Sequence, residues 1–251
     1  MLDQITPVIL TRDEEPNIGR TLAQLTWAPD IVLVDSFSTD ATVEMARGFP
    51  NVRVFQRQFD VLATQWMFGL EQVRTQWMLA LDADYVVPAG LVQELKQLTP
   101  LANVRGYRSR FRYAVGGKVL RGSLYPPHIV LAATAHARVW QDGHAQRLSV
   151  DGEVGELETP IIHDDRKSFR AFVGRQKRYM AQEAEKLRSA NPLAIGISGR
   201  VRKLIVVAPF AALIHTLLVK GLILDGRAGL RYAWERFVAE LILSRELLRR
   251  R

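Results

Sequence analysis

Short apolar runs alternate with stretches of helical period in the N-terminal part of the chain, and this alternation constrains the fold more than any other feature. The runs are residues 5–11, 30–36, 52–57 and 77–83. Strands that alternate with helices form right-handed crossovers, which give a sheet covered by helices on both faces. We therefore predict an α/β, Rossmann-like fold with a mixed, mainly parallel sheet.

The composition restricts the chemistry of any site. The chain has 251 residues, of which 48% are hydrophobic, so it can bury a substantial core. It contains no cysteine, so a metal must be bound by oxygen or imidazole ligands, which favours magnesium, manganese or calcium. The net charge of +8 favours anionic partners such as nucleotide phosphates or acidic lipids. Basic and aromatic residues are not interleaved in a pattern typical of nucleic-acid binding, so we expect no nucleic-acid partner.

Polar and acidic residues follow the first, second and fourth predicted strands. Ligands bind outside the carboxyl ends of the strands in sheets of this kind. The segments to consider are residues 11–15, 35–40 and 82–84. Residues 11–15 and 35–40 could instead be the N-terminal ends of helices without a role in binding. Acidic residues are favoured in the first turn of a helix, and Ser38 or Asp40 suits an N-cap.

Asp82 and Asp84 occupy the end of the fourth strand, in the stretch "LALDADY". Two carboxylates at this spacing can reach one hard divalent cation, and such a cation can bridge a diphosphate. The alternative is that one carboxylate caps the next helix and the other is solvated. The position after a fourth strand, at an edge with other acidic strand ends, favours the cation.

Three stretches in this order, "VILTRDEEPNIGRTLAQL", "DIVLVDSFSTDATVEMA" and "LALDADY", resemble the nucleotide-binding half of family 2 glycosyltransferases of the GT-A fold. The resemblance covers residues 5–98 and is strongest to bacterial enzymes of lipopolysaccharide core and surface-glycan synthesis. It implies a metal-dependent glycosyltransferase that uses a nucleotide-sugar donor, UDP-linked, together with Mg²⁺ or Mn²⁺.

The resemblance also implies roles for individual residues. Thr11, Arg12 and Glu15 would lie by the base and ribose, and Asp35 near the uracil or ribose. Gln65 would face the donor, and Asp82 and Asp84 would lie at the diphosphate and metal.

Three positions depart from the family pattern. Asp13 stands where the family usually has Asn, and Phe37 stands where it usually has Gly. Tyr85 replaces the acidic residue that usually follows the Asp-Ala-Asp segment.

From about Val104 the sequence predicts longer antiparallel strands, with Gly116 and Gly117 as a turn. A second hairpin is predicted over residues 148–165. We divide the chain into a nucleotide-sugar-binding half (1–98), an acceptor-binding half (99–190) and a C-terminal helical segment (191–251).

An inverting transfer to a hydroxyl needs a base opposite the leaving group. The family supplies an acidic residue in the second half, and Asp142 in "WQDGHAQRL" is our candidate, with His144 as its orienting partner or an alternative base. The same residues also suit a surface turn.

His163, in "PIIHDDRK", resembles a histidine that GT-A enzymes bring to the metal or diphosphate. Asp164 and Asp165 are interpreted as caps of the helix that follows.

Residues 204–224 are long enough to cross a bilayer, but Pro209, His215 and Lys220 interrupt them. We predict C-terminal amphipathic helices at an anionic membrane surface, with Arg200, Arg202, Lys203 and the terminal arginines facing the headgroups. The alternative is a helical hairpin that packs on the catalytic domain or on another copy of the chain, as a homo-oligomer.

The combined prediction is an inverting glycosyltransferase that acts on a hydroxyl of a lipid-linked or cell-surface glycan acceptor. The N-terminus lacks a basic segment before an apolar one, so we expect a cytoplasmic protein, peripheral on the inner face of the cell membrane. The alternatives are a polyprenyl-phosphate glycosyltransferase, which needs no base, and a non-catalytic module that binds nucleotide sugars or anions.

Overall fold

The computed structural model describes residues 1–122, 124–142, 145–190 and 196–249, with side chains for all of these except residues 141, 142, 145 and 146. The chain forms two compact units. The first unit comprises residues 1–113 and 125–166, and the second comprises residues 114–124 and 167–251. The division into functional segments at residues 98 and 190 stays a prediction.

The centre of the first unit is a seven-stranded sheet with the order β12-β6-β9-β4-β1-β2-β3. Strands β3, β2, β1 and β4 are parallel, and β9 runs antiparallel between β4 and β6. The predicted α/β class with a mixed, mainly parallel sheet is confirmed. These strands are β1 (Ile5–Thr11), β2 (Ile31–Asp35), β3 (Val52–Gln56), β4 (Trp77–Asp82), β6 (Val104–Ser109), β9 (His128–Ala133) and β12 (Glu153–Glu156).

Helices cover both faces of this sheet because successive strand residues point to opposite sides. Ile9 of β1 packs in a cluster with residues of α1 and α4, such as Ile18 and Leu91. Val8, its neighbour in β1, packs in a second cluster with Trp66 of α3. The helices of this unit are α1 (Glu15–Ala23), α2 (Thr42–Arg47), α3 (Leu62–Glu71) and α4 (Ala89–Gln97).

The strand order reverses next to β1. The chain runs from β1 to β2 and β3 on one side and then returns to place β4 on the other side. Ligands bind at such a switch point, outside the carboxyl ends of the strands. In the register of the sheet, Leu10 lies beside Asp82 and Thr11 lies beside Asp35. The predicted site segments therefore meet at one edge.

The predicted hairpin over residues 148–165 is wrong. Strand β12 pairs in parallel with β6, and β13 (Ile161–His163) pairs in parallel with β7 (Phe111–Val115) and antiparallel with β5 (Tyr85–Val86). Main-chain bonds from Leu157 to Arg108 and from Ile161 to Arg110 hold this segment alongside the earlier one. The hairpin in this region is formed instead by β10 (Ala137–Asp142) and β11 (Ala145–Val150).

The second unit is mainly helical. Its core is formed where α5 and α8 pack together, through Met180, Ala184 and Leu187 against Leu243 and Leu247. The predicted turn at Gly116 and Gly117 is confirmed, since both have positive φ and join the end of β7 to β8 (Lys118–Val119). The helices are α5 (Phe169–Ser189), α6 (Ile197–Lys203), α7 (Val207–Ile214) and α8 (Arg227–Arg249).

The apolar segment 204–224 is divided into short pieces. Helix α7 is followed by a π-helical turn over His215–Val219, by Gly221 at φ 69° and by a 3-10 turn over Leu222–Asp225. In the part of the chain that the structure describes, no helix has both the length and the apolar character required to span a bilayer.

Candidate active site

Asp82 and Asp84 lie at the switch point, where β4 ends and a tight turn leads into β5. His163 reaches them from a distant part of the sequence, because β13 places it opposite Tyr85 in β5. Its Nε2 atom lies 2.9 Å from Oδ2 of Asp84. The main-chain N–H of Asp164 donates to the carbonyl of Asp84 at 3.0 Å. The structure therefore brings His163 into contact with Asp84, and Asp82 lies near enough to interact electrostatically with both.

The electrostatics of this group are strongly perturbed. Burial and the neighbouring Asp84 carboxylate raise the pKa of Asp82 to about 6, although His163 partly offsets this. Burial alone would lower the pKa of His163, but the carboxylates of Asp84 and Asp82 outweigh it and raise that pKa above its usual value. Two carboxylates thus lie close together in a partly buried place that favours a bound cation.

These residues fit a divalent cation that takes further ligands from its substrate. The carboxylate oxygens of Asp82 and Asp84 are the donors that suit Mg²⁺ or Mn²⁺. The buried Nδ1 atom of His163 has no hydrogen-bond partner among the described residues. However, no three histidine or acidic side chains in the described ranges are grouped closely enough to form a metal centre by themselves. Magnesium sites of one or two carboxylates completed by phosphate oxygens and water are common.

Tyrosines enclose the ring of His163. Tyr113 stacks on it at a centroid distance of 4.4 Å, and the edges of Tyr85 and Tyr125 contact it at 5.3 and 5.7 Å. The hydroxyl of Tyr85 donates to the hydroxyl of Tyr125 at 3.2 Å. Tyr85, which replaces the usual acidic residue, is 2% exposed and lies in the core. The sequence does not single out Tyr113 and Tyr125, because only the pairing of β7 with β13 brings Tyr113 to the histidine, and no local motif marks either residue.

The loops after β1 and β2 are joined by hydrogen bonds between their polar residues, an arrangement that we call the loop clasp (residues 12–15 with 36–42). The N–H of Asp13 donates to Ser38 Oγ at 2.9 Å, and Asp13 Oδ1 accepts from the N–H of Thr39 at 2.8 Å. The N–H of Glu15 donates to Asp40 Oδ2 at 3.1 Å. Several acidic residues after these strands therefore bind the neighbouring loop.

Thr11 and Asp35 lie beneath the loop clasp. Asp35 is fully buried, and its carboxylate accepts hydrogen bonds from Thr11 Oγ1 and the N–H of Ser38, both at 2.9 Å. Thr11 is also buried, whereas Arg12 and Glu15 are exposed at the edge of the sheet. The structure gives Thr11 and Asp35 a role in positioning the loops, and their contact with base or ribose stays a prediction.

Two of the three departures from the family pattern occur where the backbone is left-handed. Asp13 has φ 52° and Phe37 has φ 55°. Asn and Gly, the usual residues of the family at these positions, adopt this conformation at low cost. The left-handed backbone therefore explains why the family usually has Asn and Gly at these positions. This chain keeps the same backbone conformation with Asp13 and Phe37.

Gln65 is 1% exposed and lies between two loops. Its Nε2 atom donates to Ser36 Oγ at 3.0 Å and to the carbonyl of Arg57 at 3.1 Å, and its Oε1 atom accepts from Arg57 at 2.8 Å. Both ends of the amide thus bind the protein. The predicted contact between Gln65 and a donor stays a prediction.

The helix after His163 is not capped by the two aspartates, which corrects our interpretation. Ser168 is the N-cap of α5, and its hydroxyl accepts from the N–H of Ala171. Asp164 is buried and pairs with Arg166 at 2.8 Å. Asp165 accepts from Asn17 of α1 at 3.0 Å. Asp164 also lies 3.7 Å from the guanidinium of Arg20 in α1, so both carboxylates hold the segment after β13 against α1.

The two candidates for the catalytic base fall on residues that the structure does not fully describe. The main chain of Asp142 ends β10, but its side chain lies outside the described residues. His144 lies outside them altogether. Both assignments stay predictions.

The sheet order, the switch point between β1 and β4, and the paired carboxylates there define an α/β protein of the doubly wound, Rossmann-like class. Residues 7–99 match the family described as Glycosyl transferase family 2. The matched segment contains Asp82 and Asp84.

A curated relative is lipopolysaccharide core biosynthesis glycosyltransferase LpsC of Rhizobium meliloti, which is 29% identical over 119 residues. The match covers 45% of this chain and 44% of that protein, so the chain spans less than half the length of its relative.

Solved structures share a more distant similarity. S. aureus TarS 1-349 in complex with UDP-GlcNAc is 12% identical with a TM-score of 0.46, over 98% of this chain and 91% of that chain. Glucosyl-3-phosphoglycerate synthase from Mycobacterium tuberculosis, in complex with Mn²⁺, UDP-glucose and phosphoglyceric acid, is 18% identical with a TM-score of 0.38, over 44% of each chain.

Proposed function

We propose that this protein is an inverting glycosyltransferase that moves a sugar from a nucleotide-diphosphate donor, UDP-linked, to a hydroxyl of a lipid-linked or cell-surface glycan acceptor. The observation that carries the proposal is the carboxylate pair Asp82 and Asp84 at the switch point, inside the segment that matches the glycosyltransferase family. The similarity to LpsC supports an acceptor of the lipopolysaccharide type.

In this proposal Asp82 and Asp84 hold a divalent cation together with the donor diphosphate. The cation, when bound, neutralises the negative charge that develops on the leaving diphosphate. His163 orients the Asp84 carboxylate through their 2.9 Å contact, and the tyrosines around the histidine fix its ring. The loop clasp keeps the strand ends that face the nucleoside in one arrangement, which favours a preorganised site.

Asp142 is proposed as the base that takes the proton of the acceptor hydroxyl, with His144 as its orienting partner or as an alternative base. Inversion requires the hydroxyl to attack the anomeric carbon from the side opposite the diphosphate. Substitution of each residue by asparagine separates the two assignments, because loss of the true base lowers transfer to the acceptor and leaves donor binding intact.

The test of the donor site measures hydrolysis and binding of a panel of UDP- and GDP-sugars, with and without Mn²⁺ or Mg²⁺. We expect one donor to bind in the presence of metal and to be hydrolysed slowly. Asp84→Asn should lower that hydrolysis about 100-fold or more, because the leaving charge is no longer neutralised. The exposed Asp3 is a matched control, and Asp3→Asn should leave the rate unchanged. Binding that is indifferent to both metal and Asp84 would contradict the proposal.

We further propose that the second unit binds the anionic cytoplasmic face of the cell membrane. It exposes a dense set of large apolar side chains, and such patches on soluble domains mark interaction sites. Lys203, Lys220 and Arg227 occur in the same part of the sequence and suit acidic headgroups. Arg202 corrects our prediction, because Glu183 and Glu240 hold its guanidinium at 3.2 and 2.8 Å. The apolar residues are Ile197, Leu204, Val206, Val207, Phe210, Ile214, Leu218, Val219, Ile223, Leu224, Leu230 and Trp234.

Cosedimentation with phosphatidylglycerol-containing vesicles tests the membrane proposal. The double variant Leu218→Asp and Val219→Asp should reduce the bound fraction, since these side chains are 63% and 70% exposed. Leu101 is 69% exposed in the first unit, so Leu101→Asp is a matched control that should bind like the wild type. Equal binding of all three proteins, or no preference over pure phosphatidylcholine vesicles, would contradict the proposal.

A further inference from the structure

Phe37 combines a strained backbone with an exposed aromatic ring. Its φ of 55° lies in the left-handed region, which bulky residues rarely adopt, and its side chain is 51% exposed. A strained conformation persists only where the surrounding structure fixes it, and such residues cluster at ligand sites. The ring does not belong to any of the buried core clusters of the described residues, so core packing does not explain the strain.

The hydrogen bonds around Phe37 show what fixes it. On one side, the buried Asp35 accepts from the N–H of Ser38 at 2.9 Å and also from the Ser38 hydroxyl. On the other side, the same hydroxyl accepts from the N–H of Asp13 at 2.9 Å. Phe37 is thus held between residues that bind each other, and the loop cannot relax without breaking the loop clasp.

The register of the sheet gives the position of Phe37 relative to the carboxylate pair. Asp82 lies beside Leu10 in β1, and Asp35 lies beside Thr11 on the other side of the same strand. Strands β4 and β2 are therefore two spacings apart, which is about 10 Å. A diphosphate bound at Asp82 would leave its nucleoside to extend across β1 towards the loop that begins after Asp35.

Within residues 35–40, Phe37 is the large apolar side chain that solvent reaches. Asp35 and Ser36 are buried, and the polar groups of Ser38 and Asp40 bind main-chain N–H groups of the loop after β1. The exposed ring is thus the group that this loop presents to a ligand. A planar aromatic ring offers a stacking surface to a nucleobase and tolerates different bases, because every base has a π face.

We infer that the ring of Phe37 stacks on the base of the bound nucleoside diphosphate and contributes to its affinity. The inference rests on the proposed function, since it takes the diphosphate to lie at Asp82 and Asp84. It assigns to Phe37 a contact with the base and none with the diphosphate. Removal of the ring should therefore weaken the binding of nucleotides and leave the affinity for inorganic pyrophosphate unchanged.

Calorimetric titration with UDP, ADP, GDP and pyrophosphate, each with Mn²⁺, tests this inference on the full chain. Phe37→Asn removes the ring while asparagine suits the left-handed backbone, so the fold should be kept and the melting temperature should not fall. Its affinity for the tightest nucleotide should drop about 5- to 100-fold, the range expected for loss of base stacking. Phe37→Trp should retain affinity within about threefold, because it keeps an aromatic face.

Phe169 provides a matched control, because it is an exposed phenylalanine (42%) in the second unit. Phe169→Asn should bind all probes like the wild type. Equal nucleotide affinity of Phe37→Asn and wild type would overturn the inference and leave the proposed function standing. A parallel loss of pyrophosphate affinity in a folded Phe37→Asn protein would also overturn it, because the ring would then act on the diphosphate. A wild-type protein that binds neither UDP nor pyrophosphate would overturn the proposed function and this inference together.

Discussion

The imidazole of His163 contacts the carboxylate of Asp84 at 2.9 Å across 79 positions of sequence, because β13 and β5 pair beside the end of β4. In the proposed function, this contact orients the Asp84 carboxylate for the metal and the donor diphosphate. His163→Gln should therefore lower metal-dependent donor hydrolysis about 10- to 100-fold, the effect typical of groups that orient a metal ligand. The exposed His215 supplies the control, since His215→Gln should match the wild type. An unchanged rate and an unchanged metal requirement in His163→Gln would show that the contact has no role in the reaction.

Substitution by alanine should have opposite effects on stability at Gly229 and at Gly174, although both glycines lie in long helices of the second unit. A Cβ atom at Gly229 would lie 1.8 Å from the carbonyl oxygen of Leu222, whereas nothing lies within 4 Å of one at Gly174. Gly229→Ala should lower the free energy of unfolding by about 3 kcal/mol or more, or prevent folding. Gly174→Ala should raise it by about 0.5–1 kcal/mol. Urea unfolding measures both, and a harmless Gly229→Ala would contradict the close approach.

Asp225, the last residue of the 3-10 turn before α8, binds the segment that follows β8. It is buried, and its carboxylate accepts from the N–H of Arg121 at 2.9 Å and from the Arg121 guanidinium at 3.3 Å. Asp225→Ala leaves these donors without a partner, so we expect the free energy of unfolding to fall by about 1–3 kcal/mol in a urea titration. Asp151 is exposed, so Asp151→Ala should stay within about 0.5 kcal/mol of wild type. Similar values for the two variants would argue against the fastening role.

His128 should make the fold sensitive to mild acid. Its ring stacks on Phe111 at 4.4 Å, and burial, with the nearby cations Arg147 and His163, lowers its pKa to about 4. Because the folded-state pKa lies below the unfolded value of 6.5, protonation favours the unfolded chain. The stability from neutral His128 is complete above pH 6.5 and is lost as the pH falls towards 4.

The size of this effect is about 2–3 kcal/mol across that interval. His128→Phe preserves the stacked ring and removes the titration, so its free energy of unfolding should fall less steeply with acid than that of the wild type. Urea unfolding at pH 7, 5.5 and about 4.5 gives the comparison, since other titrating groups act equally in both proteins. Parallel pH profiles would show that His128 does not titrate as described.

The N-terminal half of the fold was predictable because its information is local. Apolar runs of strand length, separated by stretches with helical periodicity, predict β1 to β4 and the helices between them. The same pattern predicts that Asp82 lies at the end of a strand. The left-handed backbone at Asp13 and Phe37, which depart from the family's usual Asn and Gly, was not predicted from the sequence.

The rest depends on contacts between distant segments. The alternation in residues 148–165 indicates strands, but it does not say that β12 pairs with β6 or that β13 pairs with β7. The same limit applies to Asp164 and Asp165, whose spacing before a helix suggested caps while their partners lie in α1 and in the residues that follow them. Likewise, the fixed positions of Tyr113 and Gln65 follow from tertiary packing.

The chain passes between its two compact units at three places, after Tyr113, after Leu124 and after Arg166. The helical unit is therefore not a removable module. A protein truncated after Arg166 would keep residues 114–124 but lose Asp225, which binds Arg121, and Leu222, whose side chain lies close to Gly122. Tyr113 and Tyr125, which hold the ring of His163, are the residues from which that segment departs and to which it returns. The helical unit is built from residues 114–124 and 167–251 together. An insertion or a domain exchange would therefore have to preserve both segments, because neither contains the whole unit.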